Sequence, residues 1–270
     1  MSEHKKPYIF VIGNEKGGAG KTTCSMHLIV SLLDKGYRVA SVDTDSRQQS
    51  LTSYINNRKK YNQQNSDKRV PVSLHFVTQE VVGDEEKEKK RIEQEKFEQI
   101  IDVAKKQADY IVVDTPGSYS NYSRLAHSYA DTIITPVNDS FIDLDVMAKI
   151  DHNKAEMSMP SIYSQMIWDQ KMQRAERDGG SINWFVMRNR LSNLDAVNKR
   201  KVSDALAKLS KRISFNISPG FSERVIFREL FPVGLTLLDL KRANFDKSFS
   251  LSHIAARQEL RDFLECIGVK

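Results

Sequence analysis

The run Asn14-Glu15-Lys16-Gly17-Gly18-Ala19-Gly20-Lys21-Thr22-Thr23 carries the densest chemistry in the chain. Glycines without a Cβ let consecutive backbone N–H groups turn inward onto anionic oxygens, and a helix beginning at the end of the run adds its partial positive charge. Lys21 is the residue type and position to neutralise the β- and γ-phosphates of ATP, and the Thr22 hydroxyl is placed to ligate Mg²⁺. A glycine-rich turn that binds nothing is the alternative. Gly-Lys-Thr-Thr lying between an apolar run and a helical pattern argues against it, so the whole run from Asn14 to Thr23 is expected to line a Mg-ATP site.

Two carboxylate sites stand at the ends of further apolar runs. One is Ser41-Val42-Asp43-Thr44-Asp45-Ser46; the other is Tyr110-Ile111-Val112-Val113-Asp114-Thr115-Pro116-Gly117, whose Asp114 is placed to hold Mg²⁺ through water. Either acid alone could be a helix cap or a loop residue. Together with the glycine run they form three sites at strand ends, where an open α/β sheet binds its ligand.

The elements that must position these residues follow from periodicity. Short apolar runs alternate with longer amphipathic stretches, which predicts an α/β fold, a doubly wound, mainly parallel sheet flanked by helices; the length fits one domain spanning 1–270, with two small ones as the alternative, and the glycine run makes that domain a P-loop ATPase by expectation. Strands are expected at Tyr8 to Ile12, Arg38 to Val42, Tyr110 to Val113, Thr132 to Pro136, Trp184 to Met187 and Ile213 to Ile217. Cys24 to Leu33 reads as a helix stopped by Lys35 and Gly36, Asn62 to Arg69 as a polar loop, and Asp84 to Lys96 as a solvated helix with partner docking as its alternative. Leu251 to Ile267 has helical apolar spacing and is expected to pack on the core.

The phosphate run departs from G-x-x-x-x-G-K-[ST], having Glu15 where glycine is required and a second lysine, Lys16, after it. In this it resembles the deviant Walker A family that includes the MinD and ParA proteins. The stretches VIGNEKGGAGKTT, DTDSRQQS, RNRLS, RVIFRELFPVGLTLLDL and LSHIAARQELRDFLECIG are similar, within that family, to the division-plane ATPases of the MipZ group. The resemblance implies a slow ATP hydrolase that pairs as an ATP-bound homodimer, with Lys16 crossing to the partner's nucleotide and Asp45 orienting the attacking water. It implies that Asn189, at the end of Trp184 to Arg190, pairs with the adenine edge; a turn-forming asparagine is the alternative. It further implies recruitment by ParB, sequence-blind DNA binding by the dimer and inhibition of FtsZ polymerisation. A ParA-type partition ATPase is the alternative function.

Charge supports the DNA part independently. Of a net +6, the segment Arg188 to Arg228 carries +7, from ten basic and three acidic residues. Asp195 to Leu209 reads as an amphipathic helix bearing Lys199, Arg200 and Lys201; with Lys211, Arg212, Arg224 and Arg228 this makes a basic patch suited to duplex phosphates, a solvated face being the alternative. Two isolated cysteines, Cys24 and Cys266, suggest neither disulfides nor a zinc or iron–sulfur site. The start MSEHKKPY lacks a signal peptide's apolar stretch, no run is long enough to span a bilayer, and no basic amphipathic terminus offers a membrane anchor. Cytoplasmic residence, nucleoid-associated through DNA, is expected.

Overall fold

A computed structural model describes residues 6–151, 156–191, 196–243 and 251–269. The order is β1 (Tyr8–Ile12), α1 (Lys21–Asp34), β2 (Val39–Asp43), α2 (Ser50–Gln64), β3 (Leu74–Val77), α3 (Glu86–Gln107), β4 (Tyr110–Asp114), α4 (Asn121–Tyr129) and β5 (Thr132–Asn138). After these come α5 (Phe141–Leu144), β6 (Ala148–Asp151), β7 (Glu156–Pro160), α6 (Ile162–Asp178), β8 (Asn183–Leu191), α7 (Ala196–Ile213), β9 (Asn216–Ser222), α8 (Val225–Leu230) and α9 (Leu251–Cys266).

Seven strands form one sheet in the order β3-β2-β4-β1-β5-β8-β9, every neighbouring pair parallel, while β6 and β7 make a separate antiparallel hairpin. The central strands are apolar on both faces because both are covered. Ile9 and Val11 of β1 pack with α3, α4, α6 and α7; Phe10 and Ile12 point the other way, onto α1, α2 and α9. The expected doubly wound architecture is therefore present. Order reverses about β1: the crossover to β2 runs through α1 on one face, those to its neighbours β4 and β5 run through α3 and α4 on the other, and the carboxyl end of β1 is where such a sheet opens a binding crevice. Among the described residues, no helix is long and apolar enough to cross a membrane.

Several expected boundaries shift. The strand read at Ile213 to Ile217 is corrected: α7 continues to Ile213, Ser214 takes a left-handed φ of 56° that ends it, and β9 begins at Asn216. Leu206, Leu209 and Ile213 are as compatible with one helical face as with a strand start, and packing on the sheet decides for the helix. The stretch Asp84 to Lys96 belongs to the longer α3, which is solvated at its start and buries Phe97, Ile101 and Ala104 further on. Helix α2 runs to Gln64, into the expected polar loop.

One buried ion pair ties the chain's last third to α2. Arg58 and Asp239 are both fully buried and meet bidentately, Nη1 to Oδ2 at 2.7 Å and Nη2 to Oδ1 at 2.8 Å. The remaining donors of Arg58 reach the carbonyls of Pro71 and Gly234, and Thr236 donates its N–H and hydroxyl to Asp239. With four of the five guanidinium protons engaged and four bonds made to the carboxylate, removing one partner strands the other charge in the core. Arg58→Ala is expected to lower unfolding free energy by about 3 to 5 kcal/mol in a denaturant titration.

Candidate functional site

At the carboxyl end of β1 the chain turns through the glycine run into α1. Gly18 and Gly20 hold left-handed φ of 73° and 87°, and a Cβ at Gly20 would meet the Asn189 amide nitrogen at 2.0 Å. The opposite wall is as tight: a Cβ on Gly117, in the turn after β4, would lie 2.9 Å from the backbone nitrogen of Gly17. Neither place tolerates a side chain.

The run encloses a cavity of about 510 Å³ lined by Gly17 through Thr23, with Asp43, Asp45 and Asp114 on its floor and wall. Lys21 is 9% exposed, and its ammonium donates to the Lys16 carbonyl at 2.8 Å, folding back across the loop as a phosphate-binding lysine should. Burial lowers its pKa, against the attraction of Asp114 and Asp45. The Thr22 hydroxyl donates to Asp114 Oδ2 at 2.7 Å, and Ser25 donates to Oδ1 at 2.9 Å. Strand register sets Asp43 directly beside Asp114. Burial, then repulsion by Asp43, pushes the Asp114 carboxyl up to about 7. Two buried acids and a hydroxyl facing one cavity form an oxygen donor set suited to Mg²⁺, which is usually held by one or two carboxylates together with substrate phosphates.

Asn14, Glu15 and Lys16 lie outside that lining. Asn14 is buried behind the loop, where its amide donates to the Pro136 carbonyl at 2.5 Å and its Oδ1 accepts the Lys16 N–H at 2.7 Å; it shapes the loop. The Tyr163 hydroxyl fastens the loop's other root, donating to the Gly13 carbonyl at 2.7 Å. Burial raises the carboxyl of Glu15. The Lys16 ammonium reaches Asp143 of α5 at 2.9 Å. Asp45 accepts from the backbone N–H groups of Arg47 and Gln48, and so caps the turn into α2.

A second cavity, about 340 Å³, opens beside the first and shares Gly20, Thr23, Arg190 and Phe231 with it. Asn189 is there, but its amide donates to the Ala19 carbonyl at 2.8 Å, supporting the loop from beneath. Phe221, Phe227 and Phe231 supply apolar surface for a flat ring. Arg190 holds a left-handed φ of 51° at the irregular end of the β8–β9 pairing. Sequence reasoning misses these three phenylalanines and Arg190 as parts of this site; they come from far along the chain, and no local pattern marks them.

The expected basic patch divides. Arg200, Lys201, Lys211 and Arg212 are exposed on α7, whose Val202, Leu206 and Leu209 face the core; the side chain of Lys199 lies outside the described residues. Arg224 and Arg228, expected in the same patch, line the second cavity. Arg224 is held at 16% exposure by Glu259, 2.6 Å away, and Arg228 pairs with Glu223 at 2.6 Å. A charge sum along the chain does not register that α7 and α8 are different surfaces.

Comparison with known proteins agrees with this geometry. The model of the family described as ATPase MipZ matches residues 8–270. The septum site-determining protein MinD of Helicobacter pylori is 27% identical over 167 residues, which is 56% of this chain and 62% of that protein's length. Apo McdA of Cyanothece superposes with a TM-score of 0.60 at 16% identity over 97% of this chain and 99% of its own. A plasmid partition protein of Borrelia burgdorferi bound to AMPPNP gives 0.60 at 17% identity, over 97% and 98%.

The raised carboxyl of Asp114 makes pH a test of this arrangement. Its folded pKa lies above the unfolded value of 3.8, so between these limits the native state keeps a proton that the unfolded chain has lost, and stability falls as pH rises from about 4 through 7. Thermal unfolding of the metal-free protein should show that decline, and Asp114→Asn should flatten it. On sequence, motif geometry and fold together, this chain belongs to the MipZ ATPase family.

Proposed function

We propose that the chain binds Mg-ATP at the head of α1, hydrolyses it slowly, and uses the ATP state to pair with a second copy of itself. The observation that carries this reading is the convergence of Lys21, Thr22, Asp43 and Asp114 on one cavity in a member of an ATPase family. Backbone N–H groups from Gly17 to Thr22 would cradle the phosphates, Lys21 would neutralise the β- and γ-groups, and Thr22 and Asp114 would hold Mg²⁺. Mg²⁺ would supply offset for charge building on the phosphate oxygens during transfer. Asp45 orients the attacking water, which is most of what phosphoryl transfer asks of a protein. The adenine lies against Phe221, Phe227 and Phe231, with Asn189 at its edge. The partition protein's AMPPNP supports a triphosphate in this fold.

Lys16 serves the partner's nucleotide. Its ion pair with Asp143 must then open, so that pairing replaces one charge-assisted contact with another to phosphate. ATP analogue should convert a monomer to a dimer in sizing experiments, and ADP should not. Lys16→Ala should keep nucleotide affinity and lose the dimer, whereas Asp143→Asn should dimerise at lower nucleotide concentration. Dimers of Lys16→Ala would contradict the trans role.

The ATP dimer binds duplex DNA without sequence preference through Arg200, Lys201, Lys211 and Arg212 of α7, with Lys199 beside them. The monomer is recruited by ParB, and the dimer positions the division site by blocking FtsZ polymerisation, a reading supported by the family match and the septum-determining relative. ParA-type partition is the second reading, favoured by the partition-protein neighbour; an effect on FtsZ assembly separates the two. Each monomer can neutralise few phosphates, and pairing presents two patches on one body, so DNA affinity should rise steeply with ATP. Charge reversal at Arg200 and Arg212 should abolish DNA retention and spare the dimer. The slope of log affinity against log salt should flatten by about 0.9 for every phosphate that is no longer neutralised.

A further inference from the structure

We propose that His75 is a positioning residue for the carboxylate pair of the phosphate cavity, acting through Thr52 on Asp43. The inference rests on the Mg-nucleotide reading above and assigns to it two residues outside the cavity lining.

Asp43 sits at the end of β2, 1% exposed, and receives three donors. The Asp45 N–H reaches Oδ1 at 3.0 Å; the N–H and the hydroxyl of Thr52 both reach Oδ2 at 2.9 Å. A carboxylate offers about four lone pairs, so one, on Oδ1, is left for the cavity. Proton directions then follow outward from the Thr52 hydroxyl. The Thr52 hydroxyl gives its hydrogen to Asp43, so its oxygen must accept from His75 Nε2, which lies 3.0 Å away. A neutral imidazole protonated on Nε2 has its lone pair on Nδ1, and Nδ1 lies 2.9 Å from the Ser41 hydroxyl, which therefore donates to it. Ser41 in turn takes the hydroxyl hydrogen of Ser73 at 2.8 Å.

This chain of bonds is built into the sheet. Ser41 and His75 are register partners on β2 and β3, and Thr52 stands in the first turn of α2. Burial, then the nearby Lys59, lowers the imidazole to about 4, so it stays neutral across the physiological range. Threonine in a helix divides between two χ1 rotamers, one of which turns its hydroxyl back to the carbonyl four residues earlier, here Gln48. The Nε2–H of His75 selects the rotamer that faces Asp43. Without it, the carboxylate keeps the Thr52 N–H and loses its fixed hydroxyl donor, and its remaining lone pair is no longer aimed.

Outer-shell partners of this kind typically change metal affinity by about 10- to 100-fold when removed. Mn²⁺ titrated into protein loaded with ADP, with free Mn²⁺ read by electron paramagnetic resonance, measures that directly. Wild type should take up Mn²⁺ only with nucleotide; no uptake would remove the metal-nucleotide reading itself. His75→Ala should weaken Mn²⁺ about tenfold or more, with the melting temperature and metal-free ADP affinity near wild type. His75→Gln, whose side-chain amide can donate to Thr52, should restore most of it. Thr52→Val should weaken Mn²⁺ as His75→Ala does, and the double variant should add nothing further, because both act along one path. Unchanged Mn²⁺ affinity in His75→Ala, additive losses in the double variant, or failure of His75→Gln to recover would each overturn the assignment.

Discussion

The pairing of Asp43 with Asp114 across β2 and β4 is the constraint around which this molecule is arranged. Parallel register makes the two acids neighbours, and the helices on both faces bury them. Burial raises both carboxyls, and Asp43 pushes Asp114 further up. Such a pair is tolerable only where hydrogen bonds and a cation answer it. The surrounding residues read as that answer: Thr22 and Ser25 donate to Asp114, Thr52 and the Asp45 N–H donate to Asp43, and Lys21 brings a positive charge to the same cavity. The site is polar at the one place where the sheet could most easily have been apolar.

A second arrangement keeps the phosphate loop open. Its side chains do little of the lining; Asn14, Asn189 and Tyr163 instead grip its backbone from behind, at Lys16, Ala19 and Gly13 respectively. Three buried polar groups are thus satisfied by the loop's own peptide groups, which leaves the remaining N–H groups free to face an anion. Preorganisation of this sort lowers the ordering cost that a flexible glycine-rich segment would otherwise impose on binding.

How much of this is legible in the sequence depends on the range of the interaction. The phosphate run and the strand ending in Asp114 are local patterns, in which residue type, spacing and flanking periodicity all lie within a short stretch of chain, and both lead to the cavity at the carboxyl end of β1. Choosing between the roles of Asp43 and Asp45 is different, because only the register with β4 reveals that Asp43 faces Asp114. Asn14 reads as a ligand from its place in the run, yet the carbonyl of Pro136 draws its amide inward. The four-residue edge strand β3 is too short to show a period, and His75 on it carries no local signal. Charge summed from Arg188 to Arg228 joins α7 and α8 into one patch that folding separates.

The Arg58–Asp239 pair spans 181 positions of chain, and the segment it anchors includes Phe231, a wall of both cavities. Asn189, beneath the loop, is also contributed late. During synthesis from the N-terminus, the glycine run and both acids emerge before the clamp beside the second cavity, which waits for the last third of the chain. A nascent chain therefore exposes the glycine run long before Asn189 can support it from beneath or the three phenylalanines can wall the neighbouring cavity.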